Sequence, residues 1–284
     1  MNCLIFGCGY LGRRIGDAWL NRGDTVYAVT RHAANAEFFQ QAGIKPVVGD
    51  VCDAQTLRNL PTVDVVLQAV GFDRQSGKTQ QEVTVEGMSH VLSAVRDRCR
   101  CFIQISSTSV YGQSDGEWID EQSPTQPTQT GGQANLAAES LVHQQFLSGG
   151  MVRAHTLRLA GIYGPGRLLS RIETLQSGTP LTGRGDAWLN LIHVDDAVTA
   201  IMACAERGTS SVYNVIDNQP VLRQDYFGTL ARLVGAPPPT FDDSQPSRRG
   251  SGGLNKRCSN RKLCAELGWH PNFGSIDAGL AASI

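Results

Sequence analysis

Six residues into the chain an apolar run stops at a glycine. Cys3-Leu4-Ile5-Phe6 is followed by Gly7-Cys8-Gly9-Tyr10-Leu11-Gly12, and then by a stretch in which Leu11, Ile15, Ala18 and Trp19 share one helical face. The order is strand, G-x-G-x-x-G turn, helix, and no other segment narrows the set of folds as far. Gly7 permits the tight turn. Gly9 has no Cβ, so a pyrophosphate can approach the backbone. Gly12 lets the helix pack close to the strand, and the helix N-terminus stabilises the anion. Tyr10 and Leu11 complete the loop. The glycine pattern alone is a weak signal, but here it predicts a dinucleotide site because a strand precedes it and further strand–helix units follow.

The next hundred residues repeat the alternation. Gly23 reads as a left-handed cap on the first helix. Strands are predicted over 25–29, 46–48, 63–70 and 101–106, with helices over 35–41 and 80–98. Such alternation implies right-handed crossovers and a parallel sheet. Residues 113–133, rich in Gln, Thr, Ser, Pro and Gly, read as a long loop. A helix over 134–147 and a strand over 152–159 follow. Beyond Gly161 the pattern is mixed: helices over 168–176, 194–207, 225–234 and 260–267, strands over 189–192 and 212–216, and a polar, basic loop over 244–256. The predicted fold is α/β, a Rossmann-type doubly wound parallel sheet over residues 1–160. A smaller C-terminal substrate-binding lobe spans 161–284, with a segment near 189–216 returning to the main sheet. A ligand is expected in the crevice between the lobes.

Composition excludes several alternatives. Lys and Arg number 25 against 26 Asp and Glu, so the net charge is −1 and no basic field favours nucleic acid. At 41% hydrophobic, the chain is too apolar for a disordered one. No apolar run approaches ~20 residues, which predicts no membrane span, and no basic segment precedes the first run. The eight cysteines (Cys3, Cys8, Cys52, Cys99, Cys101, Cys204, Cys258, Cys264) form no C-x-x-C pair, so no metal site is predicted. Several lie in apolar runs as small hydrophobes, which suits a reducing cytoplasm.

The end of the second strand selects the cofactor. A carboxylate there would bond the ribose hydroxyls of NAD. This chain has Thr30-Arg31 instead, and Asp24 lies at the opposite end of the strand. Arg31 favours NADP over NAD by pairing with a 2′-phosphate, and it also reads as a solvated surface charge.

Several segments, in order along nearly the whole chain, resemble the extended short-chain dehydrogenase/reductase family, the nucleotide-sugar epimerases and dehydratases. Gly49-Asp50-Val51 with Asp53 resembles that family's adenine-contacting turn. Ala69-Val70-Gly71 resembles the segment that passes the cofactor. Ser106-Ser107-Thr108-Ser109-Val110-Tyr111-Gly112 is similar to its S-S-x-x-V-Y-G motif. Arg158 to Pro165 is similar to R-x-x-x-x-Y-G-P, and Leu191 to Asp196 to its I-H-V-D-D segment. The resemblance implies NAD or NADP as cofactor, Ser107 as the hydroxyl that orients the substrate, and Tyr111 and Tyr163 as substrate-facing. It implies a small-molecule substrate such as a nucleotide sugar. It also places a four-helix dimer interface on the helices over 80–98 and 134–147.

The chain departs from the family at its catalytic pair. A Y-x-x-x-K normally opens the helix after the long loop, with a glutamate four residues later. Registering on Glu139 puts Asn135 at the lysine and Gly131 at the tyrosine. General acid–base work needs the tyrosine, and the lysine lowers its pKa. Extended members also usually read G-x-x-G-x-x-G. The chain thus resembles an atypical branch. Two readings follow: an epimerase/dehydratase-type oxidoreductase with altered catalysis, or a catalytically silent NAD(P)-binding sensor. A reductase using water-relayed protons is a third. His193, Asp195 and Asp196 read as helix-capping residues. Arg158, Arg167, Arg184, Arg248-Arg249 and Lys256-Arg257 are candidates for a substrate diphosphate or for surface charge, with Arg158 expected to pair within the fold.

Overall fold

The structure is a computed structural model that describes residues 1–147, 151–244 and 255–284. Arg248-Arg249 and most of the 244–256 loop lie outside the described residues. The chain runs β1 (Asn2–Phe6), α1 (Tyr10–Asn21), β2 (Thr25–Thr30), α2 (Ala34–Gln41), β3 (Lys45–Val48), β4 (Val65–Gln68), α3 (Gly87–Val95) and β5 (Cys101–Ser107). Then come β6 (Glu117–Ile119), α4 (Thr130–Val142), β7 (Arg153–Leu159), β8 (Gly161–Tyr163), α5 (Leu169–Gln176), β9 (Leu181–Thr182) and β10 (Trp188–Leu189). The last elements are β11 (Leu191–His193), α6 (Val194–Glu206), β12 (Ser211–Val215), β13 (Val221–Leu222), α7 (Arg223–Leu233), β14 (Phe241–Asp242), β15 (Lys256–Cys258), α8 (Arg261–Leu267) and α9 (Ile276–Ala281).

Seven strands form the main sheet, in the order β12-β7-β5-β4-β1-β2-β3. β1 pairs in parallel with β2 and β4, β2 with β3, and β4 with β5. The doubly wound α/β architecture read from the sequence is therefore the one observed. Cys3 to Phe6 are fully buried, as a central strand covered on both faces requires. On one face Leu4, Phe6, Val66 and Phe102 pack with Val91 and Val95 of α3 and with Ala138 and Val142 of α4. The order reverses between β1 and β4, and the carboxyl ends of those strands flank the topological switch point where such sheets bind ligands.

Contacts divide the chain into two compact units. One comprises Met1–Val110, Thr130–Arg158 and Val198–Tyr213, and the other Tyr111–Gln129, Leu159–Ala197 and Asn214–Ile284. The second has its own core, in which Tyr163, Leu175, Tyr226, Phe227, Leu230 and Leu280 cluster. Among its described residues it carries four two-stranded sheets: β8 with β11, β10 with β13, β9 with β14, and β6 with β15.

Several details differ from the sequence reading. The stretch predicted as a continuous loop contains β6, paired in parallel with β15. Three residues are too few to display a period, and their partner lies far downstream. α4 starts at Thr130, earlier than predicted, because Gly131-Gly132 is helical here and not a breaker. The single strand expected over 189–192 is two strands that take different partners. Asn190, at the break, donates its amide to the Lys256 carbonyl (2.9 Å) and accepts from the Cys258 amide (2.7 Å). Gly23 and Gly268 do adopt the left-handed backbone expected of caps, at φ 88° and 61°.

Candidate cofactor site and catalytic positions

The glycine turn sits at the carboxyl end of β1, against the segment that follows β4. Ala69 donates its amide to the Phe6 carbonyl (2.8 Å). Gly7 has φ 84°, and a Cβ there would collide with the Ala69 carbonyl and the Val70 amide. A Cβ on Gly12 would collide with the Gly7 carbonyl. Only glycine permits these two approaches. Gly9 differs: a Cβ built on it meets nothing within 4 Å. Gly9 precedes α1, and neither a side-chain cap nor an acidic residue occupies that helix's first turn. The positive end of the helix is left open to an anion, with bare backbone in front of it. These residues fit a dinucleotide pyrophosphate. Gly71, two residues after Ala69, likewise meets nothing within 4 Å.

The strand ends beside the turn supply the rest. Phe6 is in register with Val29, so the end of β2 lies next to the glycine turn. The Thr30 hydroxyl accepts from the His32 amide (3.3 Å) and the Asn35 side chain (3.4 Å), while Arg31 is exposed. After β3, the Asp50 carboxylate accepts from the Cys52 amide (2.9 Å), and Asp53 caps the next turn through the Gln55 amide (3.0 Å). Val51 is buried, and His90 of α3 hydrogen-bonds its carbonyl (2.8 Å). His90 escaped sequence reasoning, because nothing at a half-buried helical position signals a bond to a distant turn.

Ser107 ends β5, half-buried, and its hydroxyl accepts from the Ser109 amide (3.1 Å). Its neighbour Ser106 donates to Glu139 (2.6 Å), and Arg158 of β7 forks onto the same carboxylate, with Nη2 2.7 Å from Oε2. All three are buried, so Arg158 is a structural ion pair, as expected of a guanidinium inside an apolar strand. This bond fixes the rotation of α4. Gly131, Asn135 and Glu139 recur every four residues and share one helical face, and Glu139 points that face at β5. A Cβ on Gly131 meets nothing within 4 Å. No ionisable group stands at either position.

The two tyrosines of interest lie in the second unit, and both are buried. The Tyr111 hydroxyl donates to Asn214 (3.0 Å), and the buried Lys256 amine donates to the Tyr111 carbonyl (2.7 Å). Burial lowers the pKa of that amine. Tyr163 packs edge-on against His193 and directly against Gly279, and burial raises its phenol pKa. Asp195 and Asp196 fall in the first turn of α6, but Asp196 does more than complement the helix. Its carboxylate accepts from the amides of Asn272 (2.7 Å) and Phe273 (3.0 Å) and so anchors the segment before α9. Arg184 pairs with Asp186 at the surface, and Arg257 donates to the Gly116 carbonyl (2.7 Å).

A doubly wound sheet with a glycine turn at its switch point, Ser107 on the next strand but one and the anchoring Glu139 behind it define an extended short-chain dehydrogenase/reductase. More specifically, the chain belongs to the NAD dependent epimerase/dehydratase family, whose profile matches residues 3–215. Protein YeeZ of Escherichia coli (strain K12) is 29% identical over 278 residues, covering 95% of each chain. A 3-diazoavenalumate denitrifying reductase of Streptomyces sp is 26% identical over 310 residues, covering 99% of each. The UDP-glucose 4-epimerase of Thermotoga maritima, solved with UDP-glucose, shares the fold. It is 20% identical, with a TM-score of 0.85 over 100% of this chain and 97% of that one. No described helix is long and apolar enough to cross a membrane.

Proposed function

We propose that the protein is an NADP-dependent oxidoreductase of the epimerase/dehydratase type with altered proton handling, acting on a nucleotide sugar or a related small molecule. The observation that carries this reading is the glycine turn, packed shut at Gly7 and Gly12 and open at Gly9. Tyr10, Leu11, Asp50, Val51, Ala69, Val70 and Gly71 line the cofactor in this reading, and exposed Arg31 supports NADP over NAD. The bound nicotinamide supplies or takes up a hydride. The chain binds and orients it, and Ser107 presents a hydroxyl to the substrate. With Gly131 and Asn135 in place of tyrosine and lysine, the chain offers no side chain there to move a proton. That favours a substrate whose proton comes from water or from the substrate itself. A full-length relative named as a reductase supports a reductive activity over an epimerising one. The second unit serves as the substrate lobe, with Tyr111 and Tyr163 among its residues. Two copies pair through α3 and α4, in the reducing cytoplasm that eight free cysteines suit.

The same two positions favour a second reading, a catalytically silent NAD(P)-binding sensor. One experiment separates them. Oxidation of reduced cofactor is followed against a panel of nucleotide sugars and small electrophiles, with wild type and Ser107→Ala. Turnover that Ser107→Ala abolishes without changing cofactor affinity supports the enzyme. Cofactor binding with no turnover across the panel supports the sensor.

A further inference from the structure

Three residues of the second unit set a cation against two indoles. Arg257 of β15 lies directly across from Trp118 of β6 in their parallel register. Side chains alternate along each strand of such a pair. Ile119, Lys256 and Cys258 turn inward and are buried, which leaves Trp118 and Arg257 together on the outer face. The Arg257 guanidinium carbon stands 5.1 Å from the centre of the Trp118 ring and 5.2 Å from that of Trp188 in β10. Both distances fall within the range of cation–π attraction.

The guanidinium is held in place but not neutralised. Its Nε donates to the Gly116 carbonyl (2.7 Å). Gly116 in turn donates its amide to the Asn255 carbonyl (2.7 Å), and the Asn255 side chain accepts from the Trp188 amide (2.9 Å). A guanidinium has five N–H donors. Among the described residues the Nε bond is the only one this guanidinium makes, and no carboxylate lies within 4.0 Å of it. Its terminal nitrogens form the fork that grips an oxyanion. Trp118 is 56% exposed, so Arg257 covers only part of its ring. An open indole beside an unneutralised cation offers stacking to a flat ring and paired donors to an oxyanion.

We propose that Trp118, Arg257 and Trp188 form a binding site for a ring-bearing oxyanion, with the flat ring stacked on Trp118 and its carboxylate or phosphate held by the Arg257 fork. None of the residues given above to the cofactor or the substrate belongs to this site, so it stands independently of the cofactor reading. The two indoles and the Gly116 carbonyl hold the guanidinium, so little order is lost when the anion arrives.

The test follows indole N–H resonances by NMR. The chain has four tryptophans, and the buried pair Trp19 and Trp269 report on folding. The probes are adenosine 5′-monophosphate and indole-3-acetate, with adenosine and inorganic phosphate as half-ligands. At least one ring-bearing probe is expected to move the Trp118 and Trp188 signals saturably, and each half-ligand to bind at least about tenfold more weakly. Movement by the nucleotide alone supports the site with a phosphate ligand, and movement by the acetate alone supports it with a carboxylate. Arg257→Gln and Trp118→Leu, read at Trp188, are each expected to weaken the probe about tenfold, with the Trp19 and Trp269 signals of the free variants in place. Gly9→Ala is expected to leave the response intact. No movement with either ring-bearing probe, a half-ligand as effective as the whole, or a response that survives Arg257→Gln would overturn the site. So would a response lost in Gly9→Ala, which would trace the signal to the glycine turn.

Discussion

Gly7, Gly9 and Gly12 look alike in the sequence and differ in what a methyl group would meet. At Gly7 and Gly12 the methyl enters the backbone of a neighbouring segment, so Gly7→Ala and Gly12→Ala should destabilise the fold by roughly 1–3 kcal/mol in denaturant titrations. At Gly9 it enters open space. Gly9→Ala should leave stability unchanged and reduce cofactor affinity by about tenfold or more. The motif's spacing already assigns Gly7 to the turn, Gly9 to an approaching anion and Gly12 to packing. The particular backbone atoms that exclude a Cβ at Gly7 and Gly12 were not legible, because they depend on the Ala69–Val70 segment and on the turn's own fold. Gly131 and Asn135 pose the converse test, because neither position carries an ionisable group and a Cβ at Gly131 enters open space. Gly131→Tyr with Asn135→Lys should raise turnover of a carbonyl or alcohol substrate by about 10²-fold, the usual contribution of a general acid–base pair. An unchanged rate in a folded double variant would mean that the face does not reach the reaction.

At the scale of elements, the Ser106–Glu139–Arg158 bonds tie β5, α4 and β7 together. Arg158→Met leaves a buried carboxylate without its cation and should cost about 3–5 kcal/mol of stability. The paired replacement Arg158→Met with Glu139→Leu should cost far less, since no charge then remains buried. A double-mutant cycle by chemical denaturation measures the difference, and additive losses would contradict this account of the pair. Glu139 was legible as a register mark, and Arg158 as a residue needing an internal partner, because a charge inside an apolar strand demands one. The main-sheet strands were legible because each carries several apolar or β-branched residues between turn signals, most plainly in β1 and β4. β6, β9, β13, β14 and β15 were not. Each has only two or three residues, and pairing with a distant segment, not local pattern, makes it a strand.

At the scale of the whole molecule, one buried group in each unit ties stability to pH, and the two act in opposite senses. Asp217, in the second unit, is pushed up to about 8 by burial. The Gln219 amide opposes the shift, and the Asp196 charge adds to it. The folded unit then holds a proton that the unfolded chain, with an ordinary aspartate, has lost. Stability from this group is complete below the unfolded pKa of about 4 and falls as pH rises from there to about 8. His155, in the first unit, is pushed down to about 4 by burial and, secondarily, by Arg153. The unfolded chain binds its proton first, so stability falls as pH drops from about 6.5 to about 4. Asp217→Asn should flatten the alkaline arm of the melting temperature against pH and leave the acid arm in place. An alkaline arm that persists would contradict the assignment.

The central claim is that the turn from Gly7 to Gly12 holds a dinucleotide. Isothermal calorimetry of NADP⁺ and NAD⁺ binding to wild type and Gly9→Ala tests it most directly. The account predicts saturable binding of NADP⁺, weaker binding of NAD⁺, and a marked loss of both in a Gly9→Ala protein that melts like wild type. No binding of either cofactor, or binding that Gly9→Ala leaves untouched, would contradict it.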